Sequence, residues 1–175
     1  MDGLKAFFGT KSIWAWEHWK PASHRSGAYS LHDAWTDTNI TTDEGITHAL
    51  DVVFSGGAQK SAWYIAIFND DYTPLAGDGY QSPGYTESSN YDEGARPTWQ
   101  EAGVVSKSLT NASNRASLTM SATETIYGGS LVSANTKGDA VSGEILYCTS
   151  KFTVPKPVDD DDVLKVTVVI AGQDV

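Results

Sequence analysis

The chain has 175 residues, of which 22 are acidic and 12 are basic, and its net charge at pH 7 is −10. With 40% apolar and 11% aromatic residues, the composition excludes intrinsic disorder and is sufficient for one well-buried core. The negative charge repels phosphate backbones and anionic lipid headgroups, so we expect neither nucleic acid nor membrane as a partner.

The N-terminal residues and the single cysteine bear on where the protein is made. Residues 1–8 have neither the basic region nor the apolar region of a secretory signal, and no stretch approaches the ~18 apolar residues of a membrane span. We therefore expect synthesis in a cytoplasm and a soluble product. Cys148 lies in an apolar run and is the only cysteine, so it is predicted to be a small core residue rather than a nucleophile.

Residues 1–38 differ from the rest of the chain because they contain four of its six tryptophans. Two interpretations are open for this segment. It could be a strand pair that fills the common core, or an arm that docks into a neighbouring subunit, since tryptophan is enriched at binding hot spots. We therefore divide the chain into a tryptophan-rich segment or arm, 1–38, and a β-sandwich domain, 39–175. The candidate interface residues are Trp14, Trp16, Trp19 and Trp35.

One short helix is predicted over about residues 42–54. Thr41 and Glu44 have the spacing of a capping box, and glycines 56 and 57 end the pattern. Gly45 in the first turn costs about 1 kcal/mol relative to alanine. The apolar face at helical spacing consists of Ile46, Ala49, Leu50, Val53 and Phe54.

The remainder of the chain is predicted to be β structure. Residues 62–68 form an apolar run typical of a central strand covered on both faces, and 69–98 are predicted to be a long surface loop. Five further strands are expected at 99–109, 116–122, 125–133, 143–152 and 163–170. The predicted fold class is mostly β, an antiparallel β-sandwich or jelly-roll-like domain.

No catalytic, cofactor-binding or metal-binding motif is recognisable. The four histidines, at positions 18, 24, 32 and 48, have no zinc-site spacing, and there is no G-x-S-x-G nucleophile elbow or phosphate-binding glycine loop. The run of aspartates at 159–162 is predicted to be a solvated turn rather than a calcium loop. We therefore expect no cofactor and a protein that is not an enzyme.

An ordered set of segments resembles the small structural proteins of tailed bacteriophage virions, known as head decoration, head fibre or tail fibre proteins. The segments are NITTDEG at 39–45, ALDVVF at 49–54, WYIAIF at 63–68, YDEGARP at 91–97, IYGGSL at 126–131, TKG at 136–138, GEILY at 143–147 and DVLKVTV at 162–168. The resemblance covers roughly residues 39–170, and the tryptophan-rich segment is its least typical part.

The resemblance implies a non-enzymatic β domain that assembles with copies of itself and with the phage capsid or other virion proteins. It implies a location in the virion, and in the host cytoplasm before assembly. Capsid decoration is the favoured role, because the chain has no coiled coil or fibrous repeat. A tail or receptor-binding role is the alternative, in which aromatic residues would stack on carbohydrate; the candidates are Tyr72, Tyr80, Tyr85, Tyr91 and Trp99.

Overall fold

A computed structural model describes residues 9–22 and 27–173 of the chain. Two antiparallel sheets pack face to face, which confirms the predicted β-sandwich. In chain order the elements are β1 (Gly9–Pro21), β2 (Tyr29–Thr38), β3 (Ile40–Thr41), α1 (Asp43–Leu50), a π-helical turn (Asp51–Ser55), β4 (Tyr64–Phe68), β5 (Glu87–Ser88), β6 (Ser108–Thr110), β7 (Ala116–Thr119), β8 (Glu124–Val132), β9 (Leu146–Val158) and β10 (Val163–Gln173).

The first sheet is organised around β10. Strand β1 pairs with one edge of β10, and β6 and β7 pair with its other edge, while β2 lies beyond β1. The second sheet has the order β3-β9-β8-β4-β5. Every pairing in both sheets is antiparallel, as the alternating pattern of the last strand predicts.

The N-terminal segment is part of the sandwich, so the interpretation of 1–38 as an arm is wrong for its described residues. Strand β1 pairs with β10 from Gly9 opposite Gln173 to Trp19 opposite Val163, without interruption. Residues two apart in a strand share one face, and that face of β1 places Trp14 and Trp16 against the second sheet. Of the two open interpretations, the strand pair is the one the structure contains. Residues 1–8 lie outside the described residues.

The core lies between the two sheets and includes a glycine that makes room for tryptophan. A Cβ atom added to Gly129 of β8 would lie 2.7 Å from the ring of Trp16, too close for any side chain. The largest fully buried side chains around these residues are Trp14, Trp16, Ile65, Ile67, Leu118, Met120, Ile126, Leu131 and Leu164.

Strand β4 is buried on both faces, as predicted for residues 62–68. Ile65 and Ile67 point into the main core, while Ala66 packs with Tyr80 and Leu146 in a smaller cluster on the outer side of the second sheet. The long segment 69–98 supplies Tyr80, so it covers this sheet face rather than extending freely over the surface.

The prediction of a strand at 99–109 is wrong except at the C-terminal end of that range. Only Ser108–Thr110 pairs with β10, and residues before it form an irregular loop. The backbone of Ser106 and Lys107 has φ values of 50° and 66°, a left-handed conformation incompatible with a continuous strand. The remaining four predicted strands correspond to β7, β8, β9 and β10.

Candidate functional site

The predicted interface tryptophans are mostly internal. Trp16 stacks between Trp14 and Trp35, with ring centroids 5.7 and 6.2 Å away, and Phe152 meets it edge-on at 4.8 Å. Trp14 and Trp16 are fully buried, and Trp35 is half-buried beneath the ammonium of Lys156. Trp14 and Trp16 are therefore not available to a partner, while Trp35 keeps part of its surface exposed.

Trp19 lies apart from that stack, on the outer side of β1. Its indole Nε1 donates to the carboxylate of Glu17 at 2.8 Å, and the Lys165 ammonium lies 4.6 Å from the ring centroid. Both contacts are between residues of the first sheet. The four tryptophans therefore do not form a common surface.

The aromatic residues proposed as carbohydrate platforms are also packed into the protein. Tyr80, Tyr91 and Trp99 are buried, and the ring of Tyr85 stacks on Phe68 with centroids 4.8 Å apart. Stacking on a sugar requires an accessible ring face, and these residues use theirs for packing. The hydroxyl of Tyr72 donates to Asp78, which fixes the same loop internally.

A buried arginine fixes the conformation of the loop that carries these tyrosines. Arg96 makes two hydrogen bonds to the Glu87 carboxylate, at 2.8 and 2.6 Å, and donates to the Tyr80 hydroxyl and the Ala134 carbonyl. The desolvation cost of burying the guanidinium is opposed by this bidentate pairing, whose net effect is to raise the pKa of Arg96. The cluster is a cross-link between loops, with its donors already occupied.

His18 and Lys20 of β1 form a second cluster with Asp159 and Asp162 of the aspartate run. His18 Nε2 lies 2.7 Å from a carboxylate oxygen of Asp162, and both side chains are buried. Lys20 lies 3.4 Å from Asp162 and 2.9 Å from Asp159, and its hydrogen bond to Asp159 raises the pKa of the lysine. The prediction of a solvated turn at 159–162 is therefore wrong for Asp162, which turns inward and ties β1 to the start of β10.

The other candidate chemical groups offer no reactive site. Burial raises the pKa of the Cys148 thiol to about 12, so it is protonated at neutral pH, as expected of a core cysteine. His48, in the last turn of α1, packs edge-on against Trp63 at 5.9 Å. His24 lies outside the described residues. Among residues 9–22 and 27–173, no group of three or more His, Cys, Asp or Glu side chains is placed to hold a metal ion.

The most distinctive surface of the protein is formed by α1 and the π-helical turn. The predicted helix is confirmed over α1, but its cap is Thr42 rather than Thr41, because the Thr42 hydroxyl accepts from the Gly45 amide at 3.0 Å. After Leu50 the chain continues as the π-helical turn and ends at Gly56, which has the left-handed φ of 76°. Turns of this kind occur frequently at functional sites.

The first turn of α1 is hydrogen-bonded to the sandwich. The Thr42 amide donates to the Tyr147 carbonyl at 3.1 Å. The Glu44 carboxylate accepts from the amides of Leu146 and Tyr80, at 2.7 and 2.9 Å. Further along the helix the contact is between rings, because His48 meets Trp63 edge-on.

The predicted apolar face of this helix is exposed over its second half. Leu50 is 39% exposed, Val53 60% and Phe54 72%. We call these three residues the helical ridge. Exposed aliphatic and aromatic side chains that are contiguous, rather than scattered singly, are typical of binding surfaces.

An apolar groove lies beside the ridge, between the helical segment and one end of the sandwich. Its volume is about 300 Å³. Its apolar lining includes Val52, Val53, Trp63, Trp99, Leu109 and Ile170. A second cleft shares Trp63, Trp99 and Leu109 with the groove and extends to Val104. Val104 and Val105 are 70% and 71% exposed, so the apolar surface continues past the groove.

Sequence reasoning missed this surface for an identifiable reason. The sequence predicts a strand that includes Val104 and Val105 and an apolar helical face that includes Val53 and Phe54, and neither pattern says which side chains are exposed. Local sequence carries no distinguishing signal for it, because stretches without Asp, Glu, Lys or Arg are common in the chain, for example residues 125–136. The groove becomes visible only when residues distant in the chain, such as Val53, Trp99 and Ile170, are brought together.

Comparisons with known proteins add no identification. No protein-family model matches the chain, and no match was found among curated proteins. In the part of the chain that the structure describes, no helix has the length and apolar character needed to cross a bilayer.

Proposed function

We propose that this protein is a non-enzymatic structural component of a tailed bacteriophage virion, a capsid decoration or head-associated protein that binds the shell and its own copies. The observation that carries the proposal is the apolar surface formed by the helical ridge, the groove and Val104–Val105. A β-sandwich with such a surface is suited to assembly, because a preformed apolar patch binds a partner without first paying to order a disordered segment.

The segments that carry the family resemblance support this proposal through their structural roles. The segment at 39–45 caps α1 through Thr42, and that at 91–97 contains the buried Arg96. In the segment at 136–138, the ammonium of Lys137 lies 3.7 Å from the ring centroid of Tyr91. These residues stabilise loops and termini of the scaffold. They are the positions that a family sharing a fold and an assembly role would retain, rather than the parts of a catalytic centre.

The charge of the protein fits the same proposal. A net charge of −10 disfavours the phosphate backbone of the packaged genome and anionic lipids as partners. Its partners would then be other virion proteins and further copies of the chain, first in the host cytoplasm and afterwards on the particle.

The decisive experiment measures binding to shells. Purified protein is mixed with purified phage shells that lack it, and shell-bound protein is quantified after sedimentation. We expect saturable binding by the wild type and strongly reduced binding by a variant that removes the surface, Phe54→Ser combined with Val104→Ser. The control Val154→Ser removes an equally accessible valine on β9, away from this surface, and should bind like the wild type.

If the protein does not bind shells at any accessible concentration, the proposal is contradicted. Saturable binding of such a protein to host surface polysaccharide would favour the tail or receptor-binding role instead. The two outcomes are separated by running both assays on the same preparation.

A further inference from the structure

We infer that the occupant of the apolar groove is the helical ridge of a second copy of this chain, so that the surface is a self-association interface. The inference deepens the proposed function and rests on it only for the viral setting, since self-association can be measured with the protein alone.

The ridge and the groove are parts of one continuous surface. Val53 belongs to both, because it is 60% exposed on the ridge and also lines the groove. Phe54 follows it and points outward, 72% exposed. A surface that carries a projecting aromatic side chain next to an apolar recess can be complementary to itself, which is the requirement for a twofold interface between identical chains.

The groove is large enough to hold the ring of Phe54. An apolar cavity of about 150 Å³ is large enough to hold a benzene molecule. The groove has a volume of about 300 Å³ and is lined by Trp63, Trp99 and Leu109, so it has room for the phenyl ring of Phe54 and part of a neighbouring side chain. Aromatic anchors in apolar pockets supply much of the binding energy of protein interfaces.

Charge also favours a second copy. Two copies that each carry a net charge of −10 repel one another, so an uncharged apolar contact opposes their association less than an acidic one does. Among the described residues that line the groove none is Asp, Glu, Lys or Arg, while Glu44 and Asp51 line a neighbouring cleft with Phe54. A basic partner of an acidic protein would instead be expected to contact acidic side chains. The surface therefore fits a second copy better than a basic partner.

Self-association through this surface should depend on the salt concentration in a characteristic way. Raising the salt concentration from about 0.01 M to about 1 M shortens the Debye length from about 30 Å to about 3 Å and screens the repulsion between acidic copies. Self-association through an apolar contact should therefore strengthen with salt. Binding of a basic partner to acidic residues would weaken over the same range.

The test is the mass of the full chain by sedimentation equilibrium, across protein and salt concentrations. We expect a concentration-dependent oligomer that becomes tighter in high salt. Phe54→Ser should weaken association roughly tenfold or more, as for loss of an interface anchor. Phe54→Leu, which keeps an apolar side chain, should retain most of the association, and Val154→Ser should be indistinguishable from the wild type. Circular dichroism and unfolding curves of each variant establish that it is folded.

The contrary outcomes are distinct. A monomer at every concentration and salt, or an oligomer that Phe54→Ser leaves intact, overturns the inference. A Phe54→Ser variant with unchanged mass but reduced binding to shells also overturns it, because the surface then contacts the shell, and the proposed function stands. If the wild type self-associates, Phe54→Ser abolishes that self-association and the wild type does not bind shells, the inference is supported and the proposed function is contradicted.

Discussion

Strand β1 and the helical ridge both carry large apolar residues, yet the tryptophans on the inner face of β1 are buried and the ridge is exposed. Strand β1 is hydrogen-bonded to β10 along eleven residues and faces the second sheet, so Trp14 and Trp16 are enclosed from both sides. The helical segment is hydrogen-bonded to the sandwich at the first turn of α1, and among the described residues its second half leaves Val53 and Phe54 60% and 72% exposed. Apolar composition alone does not decide burial. The extent of pairing with the rest of the fold does.

The largest expected effect is on the stability of the buried region. Trp16→Ala removes a ring packed against two tryptophans and Phe152, and should lower the free energy of unfolding by about 3 to 5 kcal/mol in denaturant titrations. Trp19→Ala, on the outer side of the same strand, should cost about 1 kcal/mol or less. Deleting residues 1–38 should prevent folding altogether. A stable, folded truncation would restore the arm interpretation.

The next effect tests how the strand pair is anchored. Asp162→Ala leaves the buried His18 without its partner and removes the acceptor of the Asp159 amide. Removal of one member of a buried pair typically costs about 3 kcal/mol or more, and we expect a loss of that order in thermal and denaturant unfolding. Asp160→Ala, in the same turn but solvent-exposed, is the matched control and should change stability by less than about 0.5 kcal/mol. Equal losses of stability in the two variants would show that the contact between His18 and Asp162 does not anchor β1 to the start of β10.

A smaller effect is expected at the base of the helix. A Cβ atom at Gly45 would lie 2.4 Å from the Tyr147 carbonyl oxygen of β9. Gly45→Ala should therefore destabilise the protein by about 1 to 3 kcal/mol through overpacking, although alanine is the better helix former by about 1 kcal/mol. Thr47→Ala, on an exposed position of the same helix, should be neutral or slightly stabilising. A stabilised Gly45→Ala would mean that α1 is not held against β9 as described.

The smallest effect on folding is expected at the ridge itself. Phe54→Ser should change the free energy of unfolding of the monomer by less than about 0.5 kcal/mol, because the ring is mostly in solvent. The measurement is denaturant unfolding at low protein concentration, where self-association does not contribute. A loss comparable to that of Trp16→Ala would show that Phe54 belongs to the core, and the contrast between the two regions would disappear.

Much of the fold could be predicted from local patterns. Alternation of apolar residues located β10, the continuous apolar run located β4, and the threonines before Asp43 located the start of α1 to within one residue. Local patterns failed at residues 99–107, where Val104 and Val105 have strand propensity but left-handed residues that follow break the strand. They also failed at Asp162, whose inward orientation depends on His18 and Lys20, more than 140 residues earlier in the chain.

The sequence by itself determined the fold class, the single short helix and the acidic character of the surface, because hydrophobic period, capping residues and charge are local properties. Only the tertiary structure decided which apolar residues are buried. The need for glycine at position 45 arises from a carbonyl of β9, and Phe54 is exposed because the described part of the sandwich does not cover it. Both depend on contacts between residues distant in the chain, which a pattern of neighbouring residues does not encode.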